Sequence, residues 1–335
     1  MKVEERLNAF GELGRMLREM DDDALQSLAW KTRNENSWFT EDSVRMAVSG
    51  VAKFLSSESL RQWTSAYDLE AVVPKKIAVV MAGNIPLVGF HDFLCVLIAG
   101  HSILIKRSSK DSALIQFVVD KLVEIEPRFA ERITFSEQLK GFDAIIATGS
   151  DNASRYFEYY FSKYPHIIRK NRTSVAVLDG TESDDDVNRL GIDVFSYFGL
   201  GCRNVSKLFV PAGYPLANVL RPWESFREIV NHHKYANNYD YQKSVLLVSQ
   251  TSFLDNGSVI LQENPKLVSP ISVVYYEYYE SVAALRSLLE QSKDKIQCVV
   301  GDSEEAKIKF GQSQYPEVGD YADQIDTLQF LIALP

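Results

Sequence analysis

The 335-residue sequence predicts an α/β protein of two lobes, each a mostly parallel sheet flanked by helices, with a helical segment at the N-terminus. Three observations carry this. Apolar residues recur at helical spacing through residues 3–67. Two later stretches, from about residue 75 and about residue 173, alternate short continuous apolar runs with amphipathic segments. No internal repeat, low-complexity tract or linker separates them.

Leu7, Phe10, Leu13, Met16 and Leu17 mark a first helix, and Leu25, Leu28 and Ala29 a second. Val44, Met46, Val48, Val51, Phe54 and Leu55 mark a third. Residues 76–82 form an apolar run of the kind seen in strands covered on both faces. Gly83-Asn84-Ile85-Pro86 breaks that run, and an apolar helix follows to about residue 100. Then come a strand at 102–106, a helix at 111–125, a weak strand at 132–135, a strand at 144–148 and a helix at 152–163. The second stretch opens with a strand at 175–178 and a helix at 184–198 whose first residues are acidic, as the helix dipole favours. A strand to residue 210 and helices at 216–231 and 235–248 follow. Asp255-Asn256-Gly257-Ser258 is a turn between strands. A strand at 268–279, aromatic-rich at Tyr275–Tyr279, another helix and a strand at 296–300 complete the unit.

Composition narrows the function. The net charge is −9, with no basic block, which argues against a nucleic-acid partner. The three cysteines (95, 202 and 298) are widely spaced, so neither a disulfide framework nor a metal site is expected, and a cytoplasmic location fits. The most apolar stretch, 85–105, contains His91, Asp92 and His101 and reads as a buried helix and strand, not a membrane span.

Ligands of parallel α/β sheets bind at the carboxyl ends of the strands. Gly83-Asn84, Lys106-Arg107-Ser108-Ser109 and Gly149-Ser150 all fall at such ends, which points to a nucleotide site. Each has a second reading. Asn84 can donate to a developing oxyanion or simply occupy a turn. Lys106, with Arg107 and the two serines, can meet a ribose or phosphate or close a solvated strand. Gly149-Ser150 can present helix amides to a pyrophosphate or cap the helix. The full GxGxxG fingerprint is absent. Cys202, in Gly199-Leu200-Gly201-Cys202-Arg203-Asn204, sits where a glycine-rich turn meets a strand. It is either a nucleophile for acyl chemistry or a small buried hydrophobe. Among the histidines, His233 is a weak candidate for proton transfer, and the others read as structural or surface residues.

Taken together these segments resemble the aldehyde dehydrogenase superfamily. Ala82-Gly-Asn-Ile-Pro-Leu87 is similar to its Asn-x-Pro element, and the run from Leu97 to Ser109 to its cofactor strand. Ala147-Thr-Gly-Ser150 is similar to its nicotinamide loop, and Gly199-Leu-Gly-Cys202 to its Gly-Gln-x-Cys nucleophile. The resemblance implies Cys202 as nucleophile and Asn84 with the Cys202 amide as oxyanion hole. It also implies Lys106 and Ser109 at the adenosine ribose and Gly149-Ser150 at the pyrophosphate. The implied division is a cofactor domain with its N-terminal helices (1–172), a catalytic domain (173–320) and a tail (321–335) that could serve as an edge strand.

The departures sharpen the expectation. Where hydrolytic members carry a glutamate base, this chain reads His166-Ile-Ile-Arg-Lys-Asn-Arg-Thr173, without an acid. An acyl-enzyme would then exchange with a thiol such as coenzyme A. That trait and the short chain resemble the LuxC-type fatty-acyl-CoA reductases. The ribose-binding Glu-x-Phe-Gly-Pro element is reduced to Lys266-Leu-Val-Ser-Pro270. Ser109 stands where an acid would repel a 2′-phosphate, with Arg107 close by, so NADPH is preferred over NADH. The expected reaction is reduction of an acyl-CoA or carrier-bound acyl thioester to the aldehyde. The alternatives are a cysteine acyltransferase or thioesterase without nicotinamide, and a non-catalytic binder of acyl-CoA or nucleotide. A homo-oligomer or an acyl-transferring partner enzyme is compatible with the sequence.

Overall fold

The computed structural model describes the backbone of residues 1–335 and every side chain except that of residue 151. The chain forms two units, Met1–Asn171 with Glu317–Pro335, and Arg172–Pro316.

The first unit opens with helices α1 (Val3–Arg18), α2 (Asp22–Glu35), α3 (Glu41–Phe54) and α4 (Ser57–Thr64). Asp21, Thr40 and Ser56 cap the last three by accepting amides of the first turn. There follow β1 (Lys76–Val80), α5 (Phe90–Ala99), β2 (Ser102–Lys106), α6 (Ser112–Ile125), β3 (Ile133–Phe135), β4 (Ala144–Thr148), α7 (Asp151–Phe161) and β5 (His166–Arg169). The strands form one parallel sheet in the order β3-β2-β1-β4-β5. Alternate residues go to opposite faces. Ile77, Val79, Ile103, Ile105 and Ile146 join α1, α3, α5 and α6 in one core. Ala78, Ile145 and Ala147 join Phe142, Phe157 and Phe161 in a second. Nearly all of α5 is buried, and its Phe93 meets Phe10 of α1 edge-on at 6.2 Å. Gly100, at φ +96°, turns the chain from α5 into β2. A Cβ there would lie 3.2 Å from the Arg6 guanidinium, so both conformation and space require glycine.

The second unit contains β6 (Thr173–Val177), α8 (Asp184–Phe195), β7 (Val205–Pro211), α9 (Ala217–Leu220), α10 (His233–Val248), β8 (Leu254–Asp255), β9 (Ile260–Glu263), β10 (Val273–Tyr279), α11 (Val282–Ser292) and β11 (Ile296–Val300). The sheet order is β11-β6-β7-β10-β9-β8, parallel apart from the antiparallel β8–β9 pair. Ala176, Leu208, Val210 and Val274 pack with Val187 and Leu190 of α8 on one face. Val175, Val177 and Phe209 pack with Leu285 of α11 on the other.

The elements differ from expectation at several places, among them a fourth N-terminal helix, α4, and a β10 that begins at Val273 rather than 268. Helix α8 ends at Phe195 rather than 198, because Tyr197 and Phe198 turn to φ 50° and 58°. The helix expected over 216–231 breaks after α9 into a 3-10 stretch beginning at Pro222, which lacks the amide an α-helix needs. Strand β5 was not expected. The tail is not an edge strand but α12 (Thr327–Ile332). Asp326 caps α12 by accepting from Gln329 N at 2.8 Å, and Leu328 and Leu331 enter the first unit's core. The buried Arg169 fastens this tail by donating to Ala322 O at 2.8 Å, Thr327 Oγ1 at 2.8 Å and Asp92 Oδ1 at 2.7 Å.

Among the described residues, no helix is long and apolar enough to cross a membrane. Among the same residues, no group of three or more His, Cys, Asp and Glu side chains could hold a metal ion.

Candidate active site

In the first unit, Val80 of β1 is in register with Lys106 of β2 and Ala147 of β4. The segments after these residues therefore leave the sheet at the same edge. Met81 N donates to Lys106 O at 3.0 Å, which extends the β1–β2 pairing toward Gly83 and Asn84. Gly83 is buried, and a Cβ on it would collide with the Ser108 side chain. Its carbonyl accepts from Asn36 Nδ2 at 3.1 Å. The sheet edge thus brings Asn84, Lys106, Arg107, Ser108, Ser109, Gly149 and Ser150 to one side.

Their surroundings differ. Asn84, Lys106, Ser109 and Ser150 are exposed. Arg107 is committed to a local role, with its guanidinium 4.4 Å from the centre of the Phe135 ring and donating to Gln116 Oε1 at 2.9 Å. Ser108 Oγ accepts from Lys110 N at 3.2 Å. Ser150 caps α7 by accepting from Ala153 N at 3.3 Å. Gly149 is required by packing, since a Cβ would lie 2.9 Å from both Ala153 Cβ and the Phe157 ring. A cavity of about 550 Å³ opens beside Lys106, walled by Phe142, Phe157, Phe161 and Tyr164 and rimmed by Glu137. An apolar slot with a cation at its edge suits a flat heteroaromatic base carrying hydroxyl or phosphate groups.

In the second unit, Cys202 stands on the turn between α8 and β7. It is partly exposed, whereas Cys95 and Cys298 are buried. The turn is strained: Tyr197, Phe198 and Gly199 take successive φ values of 50°, 58° and 78°. A non-glycine residue in that region costs about 1–3 kcal/mol and persists only when its surroundings hold it. Behind the turn lies a small cavity of about 60 Å³, lined by Phe198, Gly199, Ser206, Tyr235, Ser269 and Ser272. His232 packs against the Phe198 ring at 4.5 Å and stacks on the exposed His233.

The segment 166–173, which lacks an acid, forms β5 and the start of β6. The segment 264–270 joins β9 to β10 and is fastened by two β7 side chains. Ser206 Oγ donates to Leu267 O at 2.7 Å, while Lys207 Nζ donates to Asn264 O at 3.1 Å and Pro265 O at 3.0 Å. Lys207 is 1% exposed and ion-paired with Glu277 of β10. Sequence reasoning passed over this lysine. The available signal was a charge inside each of two otherwise apolar strand runs. Asp193, Asn204 and Asp111, buried polar groups bonded to the turns of the two units, were also passed over.

A family model described as acyl-CoA reductase (LuxC) matches residues 41–217. No curated protein matches the chain in sequence. Several solved structures match in fold. A putative aldehyde dehydrogenase from Burkholderia cenocepacia has a TM-score of 0.69 at 11% identity, over 92% of this chain and 79% of that one. Aldehyde dehydrogenase 21 from Physcomitrella patens, in complex with the reaction product succinate, has a TM-score of 0.71 at 12% identity, over 99% and 84%. The NAD+ complex of an aldehyde dehydrogenase from Bacillus cereus has a TM-score of 0.61 at 12% identity, over 91% and 72%. At these identities the likeness is one of fold.

Proposed function

Because the chain belongs to the acyl-CoA reductase (LuxC) family, we propose that it reduces an acyl-CoA thioester to the aldehyde through an acyl-cysteine on Cys202, with NADPH as reductant. The carrying observation is that Cys202, alone of the three cysteines, is not buried and sits on a strained turn. Buried thiols are inert, and reactive ones are partly exposed.

The Cys202 thiolate attacks the thioester carbonyl, the oxyanion takes a hydrogen bond from the Cys202 N–H, and coenzyme A leaves as its thiolate, which solvent protonates. The absence of a glutamate in 166–173 leaves water poorly activated, so the acyl-cysteine survives for reduction. The resulting thiohemiacetal on Cys202 collapses to the aldehyde and the free thiol.

The residues at the first sheet edge fit a nicotinamide dinucleotide. The cavity beside Lys106 has aromatic walls that would receive an adenine, Lys106 and Ser109 would hold the ribose, and Gly149-Ser150 would hold the pyrophosphate. When bound, the dinucleotide supplies the hydride. Ser109 in place of an acid supports NADPH over NADH. Since Arg107 is held by Phe135 and Gln116, a 2′-phosphate would rely on Lys106 and the serine hydroxyls.

The test is a coupled assay with purified protein, acyl-CoA and NADPH. One equivalent of coenzyme A thiol should appear for each NADPH oxidised. Thiol release without NADPH oxidation would indicate a thioesterase or acyltransferase instead, and neither signal would indicate a binder.

A further inference from the structure

The side chain of Asn204 is fully buried in the hollow of the Cys202 turn, and four hydrogen bonds engage it. Its Nδ2 donates to Asp193 O at 3.0 Å, Val194 O at 3.3 Å and Ser196 O at 2.8 Å. These carbonyls belong to the last turn of α8 and the residue after it, where a helix leaves its acceptors unsatisfied. Its Oδ1 accepts from Gly201 N at 2.8 Å, one residue before the nucleophile. The backbone repeats the link, since Asn204 N donates to Gly201 O at 3.1 Å. One amide therefore ties the residues just before the strained segment 197–199 to Gly201 just after it.

A second layer braces the first. The Asp193 carboxylate is buried and accepts from Gly311 N at 2.6 Å and Ser313 N at 2.8 Å. Arg203, between Cys202 and Asn204, donates from Nε to Ser313 O at 2.6 Å. The loop 311–313 is thus fixed to the end of α8 on one side and to the nucleophile turn on the other.

We propose that Asn204 is a positioning residue that sets the presentation of Cys202, with Asp193 and the loop 311–313 as its brace. The assignment rests on the reading of Cys202 as the nucleophile. Asparagine suits the post because it offers two donors and an acceptor without charge. An aspartate there would face three carbonyl oxygens, which favours its protonated form, and only that form has a donor to give.

The test measures iodoacetamide alkylation at Cys202 by peptide mapping, with buried Cys95 and Cys298 as internal references. It is run on the wild type, Asn204→Asp, Asn204→Ala and Asp193→Asn, each checked for folding by thermal melting and for NADPH binding. We expect Asn204→Asp to slow Cys202 alkylation and lower kcat/KM for acyl-CoA about tenfold or more, with NADPH affinity unchanged. The ratio of Asn204→Asp to wild-type alkylation rate should rise as pH falls and the carboxyl regains a proton. Asn204→Ala should lose reactivity at every pH, and Asp193→Asn, which keeps one acceptor, should lose less. Wild-type alkylation rates in the folded Asn204 variants overturn the proposal. If the variants slow alkylation as expected but acyl-CoA never acylates the wild type, the positioning role stands and the reductase reading fails.

Discussion

Asp111 accepts the backbone amide of Leu87 at 2.8 Å, so a buried carboxyl just before α6 holds the loop that carries Asn84. Leu87 has φ 56°, a conformation that needs such support. The other carboxyl oxygen, Oδ1, is buried without a hydrogen-bond partner. Burial pushes this carboxyl up to about 8; the Leu87 amide opposes the rise and the neighbouring Glu35 adds to it.

A pH dependence follows. Between the ordinary aspartate value of 3.8 and about 8, folded Asp111 keeps a proton that the unfolded chain gives up. Stability therefore falls as pH rises through that window. Asp111→Asn cannot ionise, so it should match the wild type in acid and exceed it in alkali, by several kcal/mol on the order-of-magnitude scale of the shift. Urea midpoints at about pH 5 and about pH 9 check this. Parallel curves for the two proteins would show that Asp111 is ionised throughout.

Breaking the Lys207–Glu277 pair should be costly. Lys207→Met leaves the Glu277 carboxylate and the carbonyls of Asn264 and Pro265 without their donor. Lys207 is buried but the Glu277 side chain is 27% exposed, so the loss should stay at or below the roughly 3–5 kcal/mol of a fully buried pair. Denaturant unfolding should read a loss of that size, and the double variant Lys207→Met/Glu277→Leu should recover part of it.

Glu137 rims the cavity beside Lys106, where its charge would oppose a 2′-phosphate. Glu137→Gln should lower KM for NADPH about two- to fivefold and leave NADH little changed. Steady-state kinetics with both nucleotides decides it. An equal change for the two would place the carboxylate away from the 2′ position.

Gly149→Ala inserts a methyl 2.9 Å from Ala153 Cβ and the Phe157 ring. The start of α7 must shift, at a cost of about 1–3 kcal/mol. Cofactor KM should rise while acylation of Cys202, followed without cofactor, keeps its rate. A matching loss in both would mean that the substitution disturbs the whole chain.

The strands of the two sheets were legible where burial on both faces makes a continuous apolar run, as in Ile77-Ala-Val-Val80 and Ala144-Ile-Ile-Ala147. Strand β5 was not, because His166-Ile-Ile-Arg169 has only two apolar residues, and the chemistry of Arg169 lies in contacts with Asp92 and Thr327, distant in sequence. Helix α12 is six residues long, too short to show a period, so Leu328 and Leu331 read equally as strand or helix. The early end of α8 was hidden because Tyr197 and Phe198 reach positive φ without a glycine to mark it. Among the proposed functional residues, Cys202 in one unit and Asn84 and the strand-end residues in the other stand out by type and position. Asn204, Asp193 and Lys207 do not, since their partners are mostly backbone atoms, which leave no trace in the sequence.

The most direct measurement is intact mass and peptide mapping after exposure of the protein to a panel of acyl-CoAs without nucleotide. The account predicts a mass gain of one acyl group per chain, carried by the peptide containing Cys202, lost on addition of NADPH and absent from Cys202→Ala. An acyl group on Cys202→Ala, or NADPH-dependent turnover by that variant, would contradict it.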